Sequence, residues 1–189
     1  MQLDERRVAE AMAKLLKAQE VGNYEFINDE LSKKRVRWYE ENKGKLNLKG
    51  SDVRKAYTLF LIQYLGLSPR EVPVVYEDER KIVWRSYNFC PVLEACKQLG
   101  IDTREACREA EEKPVQELIS RINPNLKFSR NYEKIRPYEQ YCEEMIVQLH
   151  PNESIDPHPS STEKHARPTD MKTQQTHHHR TQPRSTHHI

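Results

Sequence analysis

Pro73 separates two hydrophobic rhythms in this chain: ahead of it apolar residues recur at helical spacing, and behind it they alternate as strands do. Val8, Met12, Leu15 and Leu16 form one stripe ending near Gly22. Tyr24, Ile27, Leu31, Arg35 and Trp38 mark a second, more polar one up to Gly44. A third helix takes Ser51 as N-cap, carries Val53, Ala56, Tyr57, Phe60, Leu61, Tyr64 and Leu65 on one face, and stops at Gly66. These stripes read as core or as the surface of a homodimer built through the N-terminal helices. A helix-turn-helix over 52–72 lacks the basic recognition helix it would need.

Past Pro73, Val74-Val75-Tyr76 and Lys81 to Tyr87 flank the charged turn Glu77-Asp78-Glu79-Arg80, which predicts a β-hairpin. A helix should start at Pro91, with Leu93, Cys96 and Leu99 inward and Gly100 at its end. Asp102 with Glu105 reads as a capping box opening a helix that carries Ala106, Cys107 and Ala110, and Pro114 as the start of a further helix through Leu118 and Ile122. Asn123-Pro124-Asn125 turns the chain into the apolar stretch Leu126-Lys127-Phe128, and Cys142 to Val147 closes as a strand. The fold class is α+β: N-terminal helices followed by a small antiparallel sheet packed with central helices. The regions are 1–72 (helical), 73–149 (the cysteine-containing core) and 150–189 (the tail).

All eight histidines lie at or beyond His150, and all four cysteines between Cys90 and Cys142. A site in the body must therefore run on thiols, carboxylates and arginines. The tail holds five of the eleven prolines and no aromatic residue or cysteine, too little apolar surface to offset ordering entropy, so it is expected to be disordered. Its His-rich ending reads as an adventitious chelator or a cloning remnant and does not guide the function. A net charge of +2 with interleaved signs speaks against nucleic acid. The longest apolar stretches fall far short of the roughly 20 residues that cross a bilayer, so no membrane partner is expected. With no secretory apolar core after Met1, the expected location is cytoplasmic, where thiols stay reduced.

Cys90 carries the sharpest chemistry. Pro91 at the first helical position makes Cys90 the N-cap, beside free backbone N–H groups and the positive end of the helix dipole, a setting that favours thiolate. Arg85 or Arg136 would push the same way. The alternative is a small buried hydrophobe that happens to cap a helix. Cys96 lies six positions on and turns away from the first helical turn. Cys90, Cys107 and Cys142 come from separate elements and can converge. Converging thiolates suit zinc or an iron–sulfur cluster, although no Cys-x-x-Cys pair is present. No cofactor is required by the sequence, and zinc is the candidate metal.

The run Trp84, Asn88-x-Cys90-Pro91, Leu99-Gly100, Cys107, Asn123-Pro124-x-Leu126-x-Phe128 and Cys142 resembles the core of the L-2-amino-thiazoline-4-carboxylic acid hydrolase family, over about residues 80–148. The resemblance implies an α+β fold that opens a cyclic thiazoline or related C–N or C–S bond, with Cys90 and Cys142 at the site and Cys107 close by. A more distant similarity to the 4-vinyl-reductase domain, a small-molecule-binding module, would recruit Cys107, Cys142 and Glu143, with zinc.

A thiol hydrolase usually pairs its nucleophile with histidine, and the body has none. Glu105, Glu143 or Glu144 would have to serve as base with a pKa raised by burial, one of the adjacent pair being turned outward on its strand. Asn88, Arg130 and Arg136 are the substrate-binding candidates, the arginines through bidentate pairing with a carboxylate. Two functions follow: a cysteine-dependent hydrolase-like protein acting on a small heterocyclic or amide substrate, or a small-molecule- or metal-sensing module whose clustered cysteines break no bond.

Overall fold

The structure, a computed structural model, describes residues 3–150. Apart from His150, the expected disordered tail lies outside the described residues. Helices α1 (Leu3–Val21), α2 (Glu25–Asn42) and α3 (Asp52–Tyr57) come first, then strands β1 (Val74–Glu77) and β2 (Lys81–Ser86). Helices α4 (Pro91–Leu99) and α5 (Thr103–Ile119) separate these from β3 (Leu126–Arg130) and β4 (Cys142–Gln148). The sheet is antiparallel in the order β1-β2-β4-β3, so the α+β class expected from the sequence is the one observed.

The hairpin turn is built as its sequence suggests. Asp78 Oδ1 accepts from the Arg80 and Lys81 amides at 2.8 and 2.7 Å, an Asx turn that lets a charged loop reverse the chain. Ser51 caps α3 by accepting from the Arg54 amide. From Thr58 to Tyr64, however, the expected single α-helix widens into a π-helical segment. Leu59, Phe60 and Leu61 are buried in succession, which the wider turn accommodates better than a 3.6-residue repeat.

Alternation gives the sheet two faces. Ile82, Trp84 and Ser86 of β2, Ile146, Glu144 and Cys142 of β4, and Phe128 and Arg130 of β3 are paired across the strands and share the face under the helices. The main core lies between the apolar part of that face, the α3–π segment and the C-terminal half of α5, through Val115, Leu118 and Ile119. Because Val53 to Leu61 join Ile82, Trp84 and Phe128 in one cluster, packing runs continuously across the 72/73 line where the sequence changes rhythm. Helix α1 packs along α4 and α2 along α5. The inward faces of the front helices are thus covered within the chain, leaving Leu3, Leu16 and Val21 as the exposed large apolar residues of α1.

Two sequence expectations are corrected here. Pro114 does not start a new helix; it sits inside a continuous α5. Proline costs a helix interior about 3 kcal/mol, and burial of Ala110, Pro114, Val115 and Leu118 against α2 and the core offsets it. The capping box is half formed: Asp102 accepts from the Arg104 amide at 2.8 Å, while Glu105 instead accepts from the Tyr24 hydroxyl at 3.4 Å.

Helix α4 ends as expected at Gly100, whose φ of 68° lets its own amide and that of Ile101 return to the Cys96 carbonyl. A Cβ there meets no atom within 4 Å, so the penalty for adding one is conformational alone. Urea denaturation should find Gly100→Ala destabilising by about 1 kcal/mol, and Gly44→Ala, at an open site without positive φ, neutral to within about 0.5 kcal/mol.

Candidate functional site

Along the helix-covered face of the sheet the residues change from apolar to polar. Beyond Ile82, Ile146 and Phe128 come Glu144, Ser86, Arg130 and Cys142, still beneath α4 and α5. Glu144 is buried and fully engaged, accepting from Trp84 Nε1 (3.0 Å), Ser86 Oγ (2.8 Å) and Arg130 Nε (2.7 Å). The Arg130 side chain, 9% exposed, also lies over the Phe128 ring and donates from Nη1 to the Cys107 carbonyl at 3.2 Å. Arg130 therefore ties β3, β4 and α5 together. Its guanidinium is committed to Glu144 and the Cys107 backbone, contrary to the expectation that it holds a substrate.

Cys90 is the α4 N-cap, in extended conformation, as the Cys-Pro pair predicts. The expected thiolate is not favoured. Burial, the largest influence, pushes the Cys90 thiol up; the Leu93 amide and Arg136 pull it down, and Glu111 and Cys142 push it up again. The Leu93 N–H leans toward the sulfur without closing a side-chain cap, and so it does not outweigh the loss of water. Cys107 is also pushed up by burial, against the pull of Arg130.

Cys90 and Cys142 both act on the ionisation of Cys107, and Cys90 acts on that of Cys96 as well, while among the described residues no hydrogen bond joins any two of the four sulfurs; Cys90, Cys107 and Cys142 are half-buried residues. Cys96 is different. It is fully buried among Val8, Leu15, Ala95 and Ala106, where burial pushes its thiol up to about 11, and it is a core residue. Among the described residues no three Cys, His, Asp or Glu side chains are gathered as a metal ion requires.

Arg136 reaches the site from the segment between β3 and β4. Its Nη1 donates to the Asn88 carbonyl at 2.8 Å and its Nε to Cys142 Sγ at 3.5 Å. Asn88 thus takes part through its backbone, its side-chain amide being bound to the Phe89 carbonyl. Arg85 is not near Cys90; it points to the other face of the sheet, over the Tyr141 ring and onto Glu143 at 3.3 Å.

Glu143, expected as a catalytic base, lies on that same far face. Both members of the Glu143-Glu144 pair are buried because the chain after β3 covers the outer face: Asn131 and Lys134 bind Glu143 at 3.2 and 3.1 Å. Burial alone would raise its pKa, but Lys134, Asn131 and Arg85 together hold it below the ordinary value. A carboxyl held ionised on the opposite side of the sheet from the thiols cannot be their base.

Two further charged residues, Glu111, which no sequence expectation names, and Arg35, expected only as a member of the second helical stripe, pair across α2 and α5. Glu111 stands one turn after Cys107 on α5, and Arg35 of α2 grips its Oε2 at 2.6 Å. The available signals were the four-residue spacing from Cys107 and an arginine inside an otherwise apolar stripe.

Removing one partner from a buried pair leaves an uncompensated charge, so Arg130→Met should cost about 3–5 kcal/mol in chemical denaturation. Adding Glu144→Gln should recover part of that loss, since a neutral amide there still accepts from Trp84 and Ser86. Glu143 sets a pH dependence. With its folded pKa lowered, its stabilisation is full above the unfolded value, about 4.3, and fades as pH falls through the folded one. Melts at several pH values should show wild type more stable than Glu143→Gln at pH 7, with the gap closing in acid.

Comparison of the chain with protein-family models, curated proteins and solved structures yields no match.

Proposed function

We propose that the polar end of the sheet is the site of a cysteine-dependent, hydrolase-like protein acting on a small heterocyclic or amide substrate that carries a carboxylate. Cys90 faces the electrophilic carbon, Cys107 and Cys142 line the site, and Arg136 holds the carboxylate. The observation that carries this reading is the state of Arg136. Arg130 is neutralised by Glu144 and Arg35 by Glu111, whereas Arg136 has no carboxylate partner among the described residues and is braced beside the sulfurs by Asn88 and Cys142. A partly buried guanidinium with unfilled donors is the group that binds a planar carboxylate well.

The resemblance to the L-2-amino-thiazoline-4-carboxylic acid hydrolase family supports the same substrate class, a small ring bearing a carboxylate. A second reading, binding without catalysis, is favoured by the thiols of Cys90 and Cys107 being pushed toward their neutral forms.

The test uses the full chain and 2-amino-thiazoline-4-carboxylate as probe. The compound should shield Cys90 from iodoacetamide, read by peptide mass spectrometry, and be consumed over hours. Arg136→Met should weaken the protection about tenfold or more, the worth of a charge-assisted hydrogen bond. Protection without consumption would favour the binding module. If no thiol is protected and nothing is consumed, the proposal fails.

A further inference from the structure

Lys33, Lys34, Arg35 and Arg37 crowd four positive charges into one stretch of α2, and the helix sorts them. Arg35 turns inward to Glu111, whereas Lys33, Lys34 and Arg37 stand exposed without an ion-pair partner among the described residues. Two open grooves flank these three cations. The first, about 460 Å³, is lined by Lys33, Lys34 and Arg37, by Glu41, and by the aromatic pair Trp38 and Tyr64. The second, about 430 Å³, lies between α2 and the C-terminal end of α5, where Ser32, Lys33 and Arg37 meet Glu117 and Arg121. We propose that this face of α2 docks an acidic segment of a partner protein, with one large apolar side chain of that segment seated on Trp38 and Tyr64.

Charge complementarity gives the sign of the partner. Of the four carboxylates on the grooves, Glu30 is already bound to Lys14 at 2.5 Å and Asp29 to Lys113 at 3.5 Å. Glu41 and Glu117 are left to face Lys33, Lys34, Arg37 and Arg121, so the excess is positive. Lys33 and Arg37 also sit one turn apart, a spacing at which like charges disfavour a helix, and an arriving carboxylate relieves that repulsion. The apolar anchor is pre-formed. Trp38 and Tyr64 meet edge to face at 5.1 Å between ring centroids, and the Arg35 guanidinium lies over the Tyr64 ring at 5.9 Å. Rings held in this way bury a large side chain at little entropic cost. In the second groove Ser32 is 6% exposed, and its hydroxyl oxygen has no hydrogen-bond partner. A buried hydroxyl of that kind suits a carboxylate or carbonyl acceptor.

The same features favour a peptide over other polyanions. A phosphate backbone is charged at every step and would meet Asp29, Glu30, Glu41 and Glu117 as well as the cations. A peptide can set glutamates against Lys33, Lys34 and Arg37 and uncharged residues against the carboxylates. Lys33 and Arg37 line both grooves, so they form the ridge between them. An extended peptide laid along that ridge points its side chains alternately to the two sides. No groove residue belongs to the thiol site, and the surface is independent of the chemistry proposed there.

Fluorescence anisotropy tests this with the full chain and a labelled peptide of alternating glutamate and glycine that carries one central phenylalanine. The peptide should bind, more weakly as salt is raised, and should shield Lys33 and Lys34 from acetylation mapped by mass spectrometry. Reversing the two shared cations, Lys33→Glu with Arg37→Glu, should weaken binding about tenfold or more. Lys49→Glu, at an exposed position outside the grooves, should leave it unchanged. Replacing the peptide's phenylalanine with serine, which leaves the protein untouched, should also cost about tenfold. No binding, equal binding of the two peptides, or indifference to the charge reversal overturns the proposal. Tighter binding of oligouridylate or of phosphatidylserine vesicles would assign the face to nucleic acid or membrane and overturns it too. So does shielding of Lys33 and Lys34 that grows with chain concentration in the absence of peptide, the mark of a second copy.

Discussion

The buried carboxylate of Glu144 is the constraint around which the polar end of this fold is built. Moving such a charge out of water costs several kcal/mol unless every lone pair finds a donor, and here three donors from three positions meet it: Trp84 and Ser86 on β2 and Arg130 on β3. That requirement fixes the register of the strands on either side of β4. It also places a second buried charge, Arg130, whose remaining donor then seizes the Cys107 carbonyl and seats α5 on the sheet. The position of Cys107, and with it of Glu111 one turn on, follows from satisfying Glu144.

Charge pairing continues outward from there. Glu111 is met by Arg35, so α2 is bound to α5 by an ion pair as well as by the cluster of Ile27 and Ala110, which Ala18 of α1 joins. On the far face Glu143 is met by Arg85 and Lys134. Arg136 stands outside this scheme, bound to a backbone carbonyl and a sulfur. Under the proposed function, that half-buried cation, without a carboxylate partner among the described residues, is where the substrate's anion binds.

Much of this was legible in the residues. Period and caps mark the helices and the hairpin because both signals are local: Ser51, Asp78, Pro91 and Gly100 act on backbone groups within a few positions of themselves. That Cys90, Cys107 and Cys142 stand on separate elements could likewise be read from the sequence. What escaped the sequence depends on contacts distant along the chain. The strength of Cys90 as a thiolate turns on how much water the fold excludes, and here exclusion outweighs the helix end. The roles of Glu143 and Glu144 depend on the segment after β3 covering the outer face, which no alternation pattern announces. Pro114 inside α5 shows tertiary burial overriding a strong local breaker.

The central claim is that three sulfurs from α4, α5 and β4 share one space while the fourth belongs to the core. Treating the folded chain with a short bifunctional maleimide and mapping the linked peptides tests it directly. The account requires intrachain links among Cys90, Cys107 and Cys142, with Cys96 unmodified. Single-ended adducts alone, or links that include Cys96, would contradict it.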